Sequence, residues 1–187
     1  VIMRTFNENK WFGQVSKNKI TFTIAVASQL EAIFERTIKS DQNIESLRCV
    51  VSCCALLNDT IKKRLIGELK CAFHECYGTS EVGVISNLND NDPSGKMHTV
   101  GRAVPGVDIR IVDNKRNIVV PGKVGEIACK SSMSFSRYYK NEQETRNSLV
   151  DGFFYTGDMG YLDEDGYLVF SGRLKEVIIT GGTNVYP

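Results

Sequence analysis

The feature that most constrains the fold is a regular alternation of short strand-like and longer helix-like segments over the first 77 residues. Three stretches, 19–26, 47–53 and 72–77, predict strands, and the first of them alternates and is rich in β-branched and aromatic residues, as buried strands are. Two amphipathic stretches between them, one beginning at Ser28 and one over 59–70, predict helices. This order requires right-handed parallel crossovers, so we expect a parallel βαβαβ portion of a layered α/β sheet.

Each predicted helix carries its own local signals. Ser28 is followed by Glu31 three residues later, which matches a capping box. In the second helix, Leu65 is expected on the inner face and Lys62 on the outer face. A third, short helix is predicted over 141–149 with Asn141 as its cap.

Beyond residue 95 the pattern changes to short strands separated by turns. Residues 107–112 and 124–130 alternate between apolar and polar, and Asp165-Gly166 is a hairpin signal. This part is predicted to be a small antiparallel, β-barrel-like subdomain. The linker-like run 87–95 would mark its boundary with the α/β portion.

Composition argues against several classes of function. Lys and Arg total 23 against 22 Asp and Glu, a net charge of +1, so no basic surface indicates a nucleic-acid partner. No apolar run reaches the length of a membrane span, and no signal peptide opens the chain. The six cysteines show neither disulfide-framework nor paired CxxC spacing, which favours reduced thiols in the cytoplasm.

Two groups of residues suit nucleotide chemistry. Tyr77-Gly78-Thr79-Ser80-Glu81 follows the third strand with an aromatic ring for stacking, hydroxyls for phosphate and a carboxylate for Mg²⁺. Asp158, just past Gly157, could accept from vicinal hydroxyls, and Arg173 follows after a hairpin that brings the chain back. Each could equally be an ordinary turn with a solvated acid or a surface cation.

These motifs, with Val100-Gly101-Arg102 and Gly125-Glu126-Ile127 between them, resemble the later part of the large N-terminal domain of the adenylate-forming enzymes. That superfamily includes acyl-CoA synthetases, firefly luciferase and the adenylation domains of peptide synthetases. The resemblance implies that 1–95 is the α/β portion of the AMP-binding domain and 96–175 a β-rich subdomain. It further implies that 176–187 begins a mobile C-terminal domain.

The resemblance also implies roles for individual residues. Tyr77 would stack on adenine, Ser80 would contact phosphate where the family more often has Thr, and Glu81 would ligate Mg²⁺. The other nucleotide-binding positions would be Cys54, Ala55, Gly78, Thr79, Asp158 and Arg173. Lys175 would be the hinge, and Gly181 and Gly182 would lie in a loop that approaches the active site during thioester formation.

The loop that starts at Cys53 departs from the family. Relatives commonly carry Gly-Gly-Ala-Pro-Leu there, whereas this chain has Cys53-Cys54-Ala55-Leu56-Leu57, whose added side chains could narrow the pocket or reduce activity. Neither this pair nor Cys71, His74 and Cys76 has the four-ligand spacing of a structural zinc site. These thiols are therefore expected to be buried and inert.

The implied function is MgATP-dependent activation of a carboxylic acid, a fatty or related acid, as an acyl-adenylate, followed by transfer to coenzyme A. The family's phosphate loop would lie upstream and its catalytic Lys downstream, so the chain is expected to be an inactive excerpt of a longer enzyme. Two alternatives stay open: a peptide-synthetase adenylation domain and a non-catalytic remnant. The sequence does not name the acid or the oligomeric state.

Overall fold

The computed structural model describes residues 2–37, 44–69, 71–174, 178–180 and 183–185. The chain forms two compact units. The first comprises Val1–Cys76 with Leu88–His98, and the second comprises Tyr77–Asn87 with Thr99–Pro187. The predicted domain boundary near residue 95 stays a prediction.

The first unit contains the predicted alternation of strands and helices. Its elements are α1 (Glu8–Asn18), β1 (Phe22–Val26), α2 (Ala27–Thr37), β2 (Cys49–Cys53), α3 (Asp59–Glu68) and the start of β3 (Ala72–Thr79). Strand β1 pairs parallel with β2, and β2 pairs parallel with β3. The predicted βαβαβ arrangement is therefore confirmed.

Helix α1 was not predicted. It begins after Asn7, whose side chain accepts a hydrogen bond from the Lys10 amide at 3.0 Å. Trp11, Phe12 and Val15 are buried and join the hydrophobic core of this unit. The helix thus forms because one apolar face can be buried, although its sequence is polar elsewhere.

The predicted capping box at Ser28 is wrong. Helix α2 starts at Ala27, directly after β1, so Ser28 already lies inside the first turn. The side-chain oxygen of Gln29 instead accepts from the Val26 amide at 3.2 Å. An amide side chain that reaches back to the residue before the helix provides one half of a capping box.

The predicted exposure of Lys62 is also wrong. Lys62 lies one turn before Leu65 on the same helical face, so the face that buries Leu65 buries Lys62 as well, at 1% exposure. Its ammonium group is 2.5 Å from the Glu75 carboxylate and donates to the Met97 carbonyl at 2.7 Å. Buried charges are tolerated when they are paired in this way.

Residues 87–89 of the predicted linker form part of a strand. Strand β4 spans Gly83–Asn89 and is followed by a short 3₁₀ turn at Ser94–Lys96 and by β5, Arg102–Ala103. The strand order of this sheet is β1-β2-β3-β4-β5, in which β3 and β4 each contain residues of both units. Two asparagines that flank the buried Leu88 make this strand look like a loop in sequence.

The remainder of the second unit is an antiparallel sheet of order β10-β9-β7-β6, with β8 paired to β9. The strands are β6 (Val107–Val112), β7 (Gly125–Ser131), β8 (Leu149–Val150), β9 (Phe153–Leu162) and β10 (Leu168–Arg173). This curled sheet confirms the predicted antiparallel part. Helix α4 (Glu142–Ser148) lies before β8, and Asn141 caps it as predicted, accepting from the Glu144 amide at 3.1 Å.

A short antiparallel pair, β11 (Ile178–Thr180) with β12 (Thr183–Val185), follows β10. Among the described residues, no helix is long and apolar enough to cross a membrane.

Candidate nucleotide site

Asp158 is the centre of the candidate site in the second unit. The residue is buried, at 4% exposure overall, near the middle of β9. The Tyr77 hydroxyl donates to one carboxylate oxygen at 2.8 Å, and Arg173 Nε lies 3.2 Å from the other. Antiparallel pairing sets Arg173 of β10 opposite Asp158 of β9. Three predicted nucleotide-binding residues, far apart in sequence, are thus brought into direct contact.

The backbone around Asp158 is held by polar contacts. The Asp158 amide donates to the Thr156 hydroxyl at 3.0 Å, and that hydroxyl donates to the Ile127 carbonyl at 2.8 Å. Gly157 adopts a left-handed φ of 71°, and its amide donates to the Glu126 carboxylate at 3.0 Å. The segment of β9 that presents Asp158 is therefore fixed before any ligand arrives.

Glu126 is a supporting residue whose role the sequence does not predict. Burial raises the pKa of its carboxyl group, although the hydrogen bond from the Gly157 amide works in the opposite direction. The signal available in the sequence was the Gly125-Glu126-Ile127 motif. The contact of this motif with Gly157 forms only because β7 and β9 are paired.

Tyr77 is oriented by the same carboxylate. Burial, and then the nearby Asp158 carboxylate, raise the pKa of the Tyr77 phenol far above its ordinary value. The phenol therefore stays protonated and remains a hydrogen-bond donor to Asp158. Its ring is half-buried, with its centroid 5.9 Å from that of Phe170.

Glu81, the predicted metal ligand, is oriented by a tyrosine. The Tyr138 hydroxyl donates to a Glu81 carboxylate oxygen at 2.9 Å, and the Phe135 amide donates to the Glu81 backbone carbonyl at 2.6 Å. Burial, followed by the hydrogen bond to Glu81, raises the pKa of Tyr138 to about 12. Tyr138 and Phe135 are site neighbours that no sequence signal revealed, because they lie more than fifty residues away.

Within the described ranges, no three His, Cys, Asp or Glu side chains cluster as a metal-binding group. An all-protein metal cage is therefore not present in that part of the chain. Mg²⁺ is commonly held by one or two carboxylates together with substrate phosphates and water. The single oriented carboxylate of Glu81 fits that mode of binding.

The residues between Tyr77 and Glu81 have distinct environments. A Cβ atom at Gly78 would lie 2.2 Å from the Gly83 carbonyl oxygen, so glycine is required there by close backbone packing. The Thr79 hydroxyl is buried and has no hydrogen-bond partner among the described residues. Ser80 is exposed. A buried hydroxyl without a partner is unusual and is consistent with a site completed by a ligand.

Cys54 and Ala55 belong to the first unit, in the loop after β2. Both are exposed, so the prediction that these thiols are buried is wrong for Cys54. Cys54 has a left-handed φ of 71°, the conformation that the family's glycine would adopt most easily. The predicted hinge, Lys175, and the predicted loop residues Gly181 and Gly182 lie outside the described residues.

Known proteins similar to this chain match it over most or all of its length. The family model for AMP-binding enzymes matches residues 1–139. Indoleacetate–CoA ligase of Aromatoleum aromaticum is 32% identical over all of this chain, and fatty acid–[acyl-carrier-protein] ligase ScoC of Streptomyces coeruleorubidus is 29% identical over all of it. In both cases the chain spans 37% of the relative's length.

A solved structure resembles this fold closely. O-succinylbenzoate coenzyme A synthetase (MenE) of Bacillus subtilis, in complex with ATP and magnesium ion, superposes with a TM-score of 0.89 at 25% sequence identity. The match covers 99% of this chain and 38% of that protein. The similarity extends over both compact units.

Proposed function

This chain belongs to the family of AMP-binding enzymes, and we propose that it forms the nucleotide- and metal-binding portion of an ATP-dependent acid–thiol ligase. The whole enzyme would join a carboxylic acid to AMP and release pyrophosphate. It would then pass the acyl group to a thiol. Chemistry of this kind requires the nucleotide and its metal to be positioned before any bond breaks.

The observation that carries this proposal is the contact set around Asp158. A buried carboxylate that receives both a phenol and a guanidinium is an organised acceptor group rather than a solvated turn acid. The two hydroxyls of a ribose would donate to this carboxylate. The Thr156 and Glu126 contacts hold the backbone of Asp158 and Gly157, whereas Tyr77 and Arg173 hold the carboxylate itself.

Arg173 is suited to act on the ligand as well as on Asp158. Its side chain is 68% exposed, whereas that of Asp158 is only 6% exposed, so the guanidinium can move without disturbing the core. In the bound state it would contact ribose or phosphate oxygens as well as the carboxylate. Tyr77 would keep Asp158 in place during that exchange and offer its ring to the adenine.

At the phosphates, Ser80 and Thr79 would donate from their hydroxyls and Glu81 would hold Mg²⁺. Bound Mg²⁺ would neutralise charge on the phosphates. Tyr138 would keep one Glu81 oxygen in position, so that the carboxylate meets the metal in a defined orientation.

For the acid we propose a fatty or related acid, and for the acceptor coenzyme A, in the cytoplasm. The CoA ligase among the relatives supports that acceptor. A carrier-protein thiol is the second candidate, which the relative named for acyl-carrier-protein ligation supports. We further propose that Cys54 and Ala55 border the bound nucleotide, that Lys175 is the hinge, and that Gly181 and Gly182 approach the thiol substrate.

The metal role of Glu81 is testable by calorimetric titration of ATP into the 187-residue chain, with Mg²⁺ and with a chelator. Glu81→Gln keeps an oxygen to accept from Tyr138 but removes the charge. We expect Mg²⁺ to tighten ATP binding to the wild type. In the presence of Mg²⁺, Glu81→Gln should bind ATP about tenfold more weakly than the wild type, a loss of about 1.4 kcal/mol.

Glu164→Gln is the matched control, because Glu164 is an exposed acid in the β9–β10 turn. It should keep the full Mg²⁺ effect. An equal Mg²⁺ effect in wild type and Glu81→Gln would show that Glu81 is not the metal ligand.

A further inference from the structure

Cys53 and Cys54 bring two sulfur atoms together at the carboxyl end of β2. Successive side chains of a strand normally point to opposite faces. Cys53 is the last residue of β2, and the left-handed φ of 71° at Cys54 turns the chain there. As a result the two Sγ atoms lie 3.5 Å apart, with the Cys54 thiol donating to Cys53.

The loop that carries this pair is anchored on both sides. Before the loop, Cys53 is paired with Cys76 in the parallel β2–β3 ladder. After it, the Leu57 amide donates to the Glu75 carboxylate at 2.9 Å, and Glu75 in turn is paired with the buried Lys62. The two thiols are therefore held close together before any ligand binds, which lowers the entropic cost of bridging them.

The separation of the two sulfurs matches a single bridging atom. A disulfide would require about 2.05 Å between them. A soft metal or metalloid with bonds to sulfur of about 2.3 Å holds two sulfur ligands about 3.8 Å apart at a tetrahedral angle, and about 3.5 Å apart at the narrower angle, about 100°, of a pyramidal trivalent centre. The observed 3.5 Å is close to these values and far from that of a disulfide.

The presence of two thiols, rather than four ligands, indicates which class of ligand can bind at Cys53 and Cys54. Zinc sites normally use four protein ligands, and no group of three metal-binding side chains occurs within the described residues. A trivalent arsenic atom that already carries one organic substituent needs two sulfurs only. Cys54 is exposed and can react first, and Cys53 is half-buried directly behind it.

We propose that Cys53 and Cys54 form a two-thiol binding site for trivalent organoarsenicals. Each thiol forms one As–S bond and each As–O bond of the hydrated reagent, R–As(OH)₂, breaks. The thiol protons leave with the hydroxyls as two waters, and nothing is oxidised or reduced.

Phenylarsine oxide is the probe, added to the full chain and followed by intact mass spectrometry in the presence of excess glutathione. We expect one phenylarsenic group to be retained per chain and to be released by a small dithiol. Cys54→Ser leaves one thiol at the site, so the second bond can no longer form intramolecularly. Apparent affinity should then fall about 100-fold or more.

Cys54→Ala should behave like Cys54→Ser, and circular dichroism will confirm that both variants fold. Cys71→Ser is the control, since Cys71 and Cys49 are another pair of neighbouring thiols in the first unit. Retention by Cys71→Ser together with loss in Cys54→Ser supports the site. Equal retention by wild type and Cys54→Ser, or binding that glutathione removes from the wild type, would overturn it.

Discussion

At the scale of single residues, Cys54 has a backbone conformation that is better suited to glycine, with a left-handed φ of 71°. A left-handed φ costs a residue with a Cβ atom about 1–2 kcal/mol. The strain is sustained because the β2–β3 ladder and the Leu57–Glu75 hydrogen bond determine the path of the loop on both sides.

Cys54→Gly is therefore expected to raise the free energy of unfolding by about 1 kcal/mol, after allowing for the greater freedom of glycine in the unfolded chain. Cys54→Ala removes the same thiol but keeps the Cβ atom, so it should bring no such gain. Urea unfolding of both variants measures the difference. Equal stabilities of the Gly and Ala variants would show that the backbone strain is absent.

Residue chemistry also explains what sequence reasoning found and missed at the site. Tyr77, Asp158 and Arg173 could be predicted together because the motif around each has a recognisable order. Tyr138 could not, because its hydrogen bond to Glu81 depends on long-range chain packing. The charge of Lys62 predicts an exposed side chain, but its position one turn before Leu65 on the buried face of α3 decides its burial.

At the scale of elements, two glycines differ in how much space their surroundings leave for a side chain. Gly67 lies within α3, and a Cβ atom there would meet nothing within 4 Å. Gly78 lies in β3, where a Cβ atom would collide with the Gly83 carbonyl oxygen. Only the second glycine is required by packing.

Gly67→Ala should accordingly stabilise the chain by about 0.5–1 kcal/mol through better helix propensity. Gly78→Ala should destabilise it by about 1–3 kcal/mol, because strand backbone must shift to accept the methyl group. Thermal and urea unfolding of the pair will show the two signs. Destabilisation by Gly67→Ala, or tolerance of Gly78→Ala, would contradict this difference.

The elements that the sequence predicts have a clear periodicity of apolar residues, whereas α1 and β4 do not. Strands β1 and β2 are rich in apolar and β-branched residues, and α3 repeats its apolar residues at helical spacing, so local sequence is sufficient to predict them. Helix α1 has only a short buried face, and β4 has an irregular burial pattern with two asparagines. Both are stabilised by tertiary packing, which a local pattern does not record.

At the scale of the whole molecule, each compact unit contains a buried carboxylate that is held by polar contacts. In the first, the buried Lys62–Glu75 pair fixes the loop after β2. In the second, the Tyr77–Asp158–Arg173 contacts lie where β3, β9 and β10 contribute one residue each. The predicted fold class and family are confirmed, whereas the binding roles of individual residues remain predictions.

The most direct test of the central claim is calorimetric titration of AMP into the 187-residue chain and into Asp158→Asn. If Asp158 accepts the ribose hydroxyls, the loss of its charge should weaken AMP binding by about 10–100-fold, as expected for charge-assisted hydrogen bonds worth about 1.5–3 kcal/mol. Asp151→Asn is the matched control, since it is exposed and Asn tolerates its left-handed φ of 52°. It should bind AMP like the wild type, and an Asp158→Asn chain that binds AMP equally well would contradict the claim.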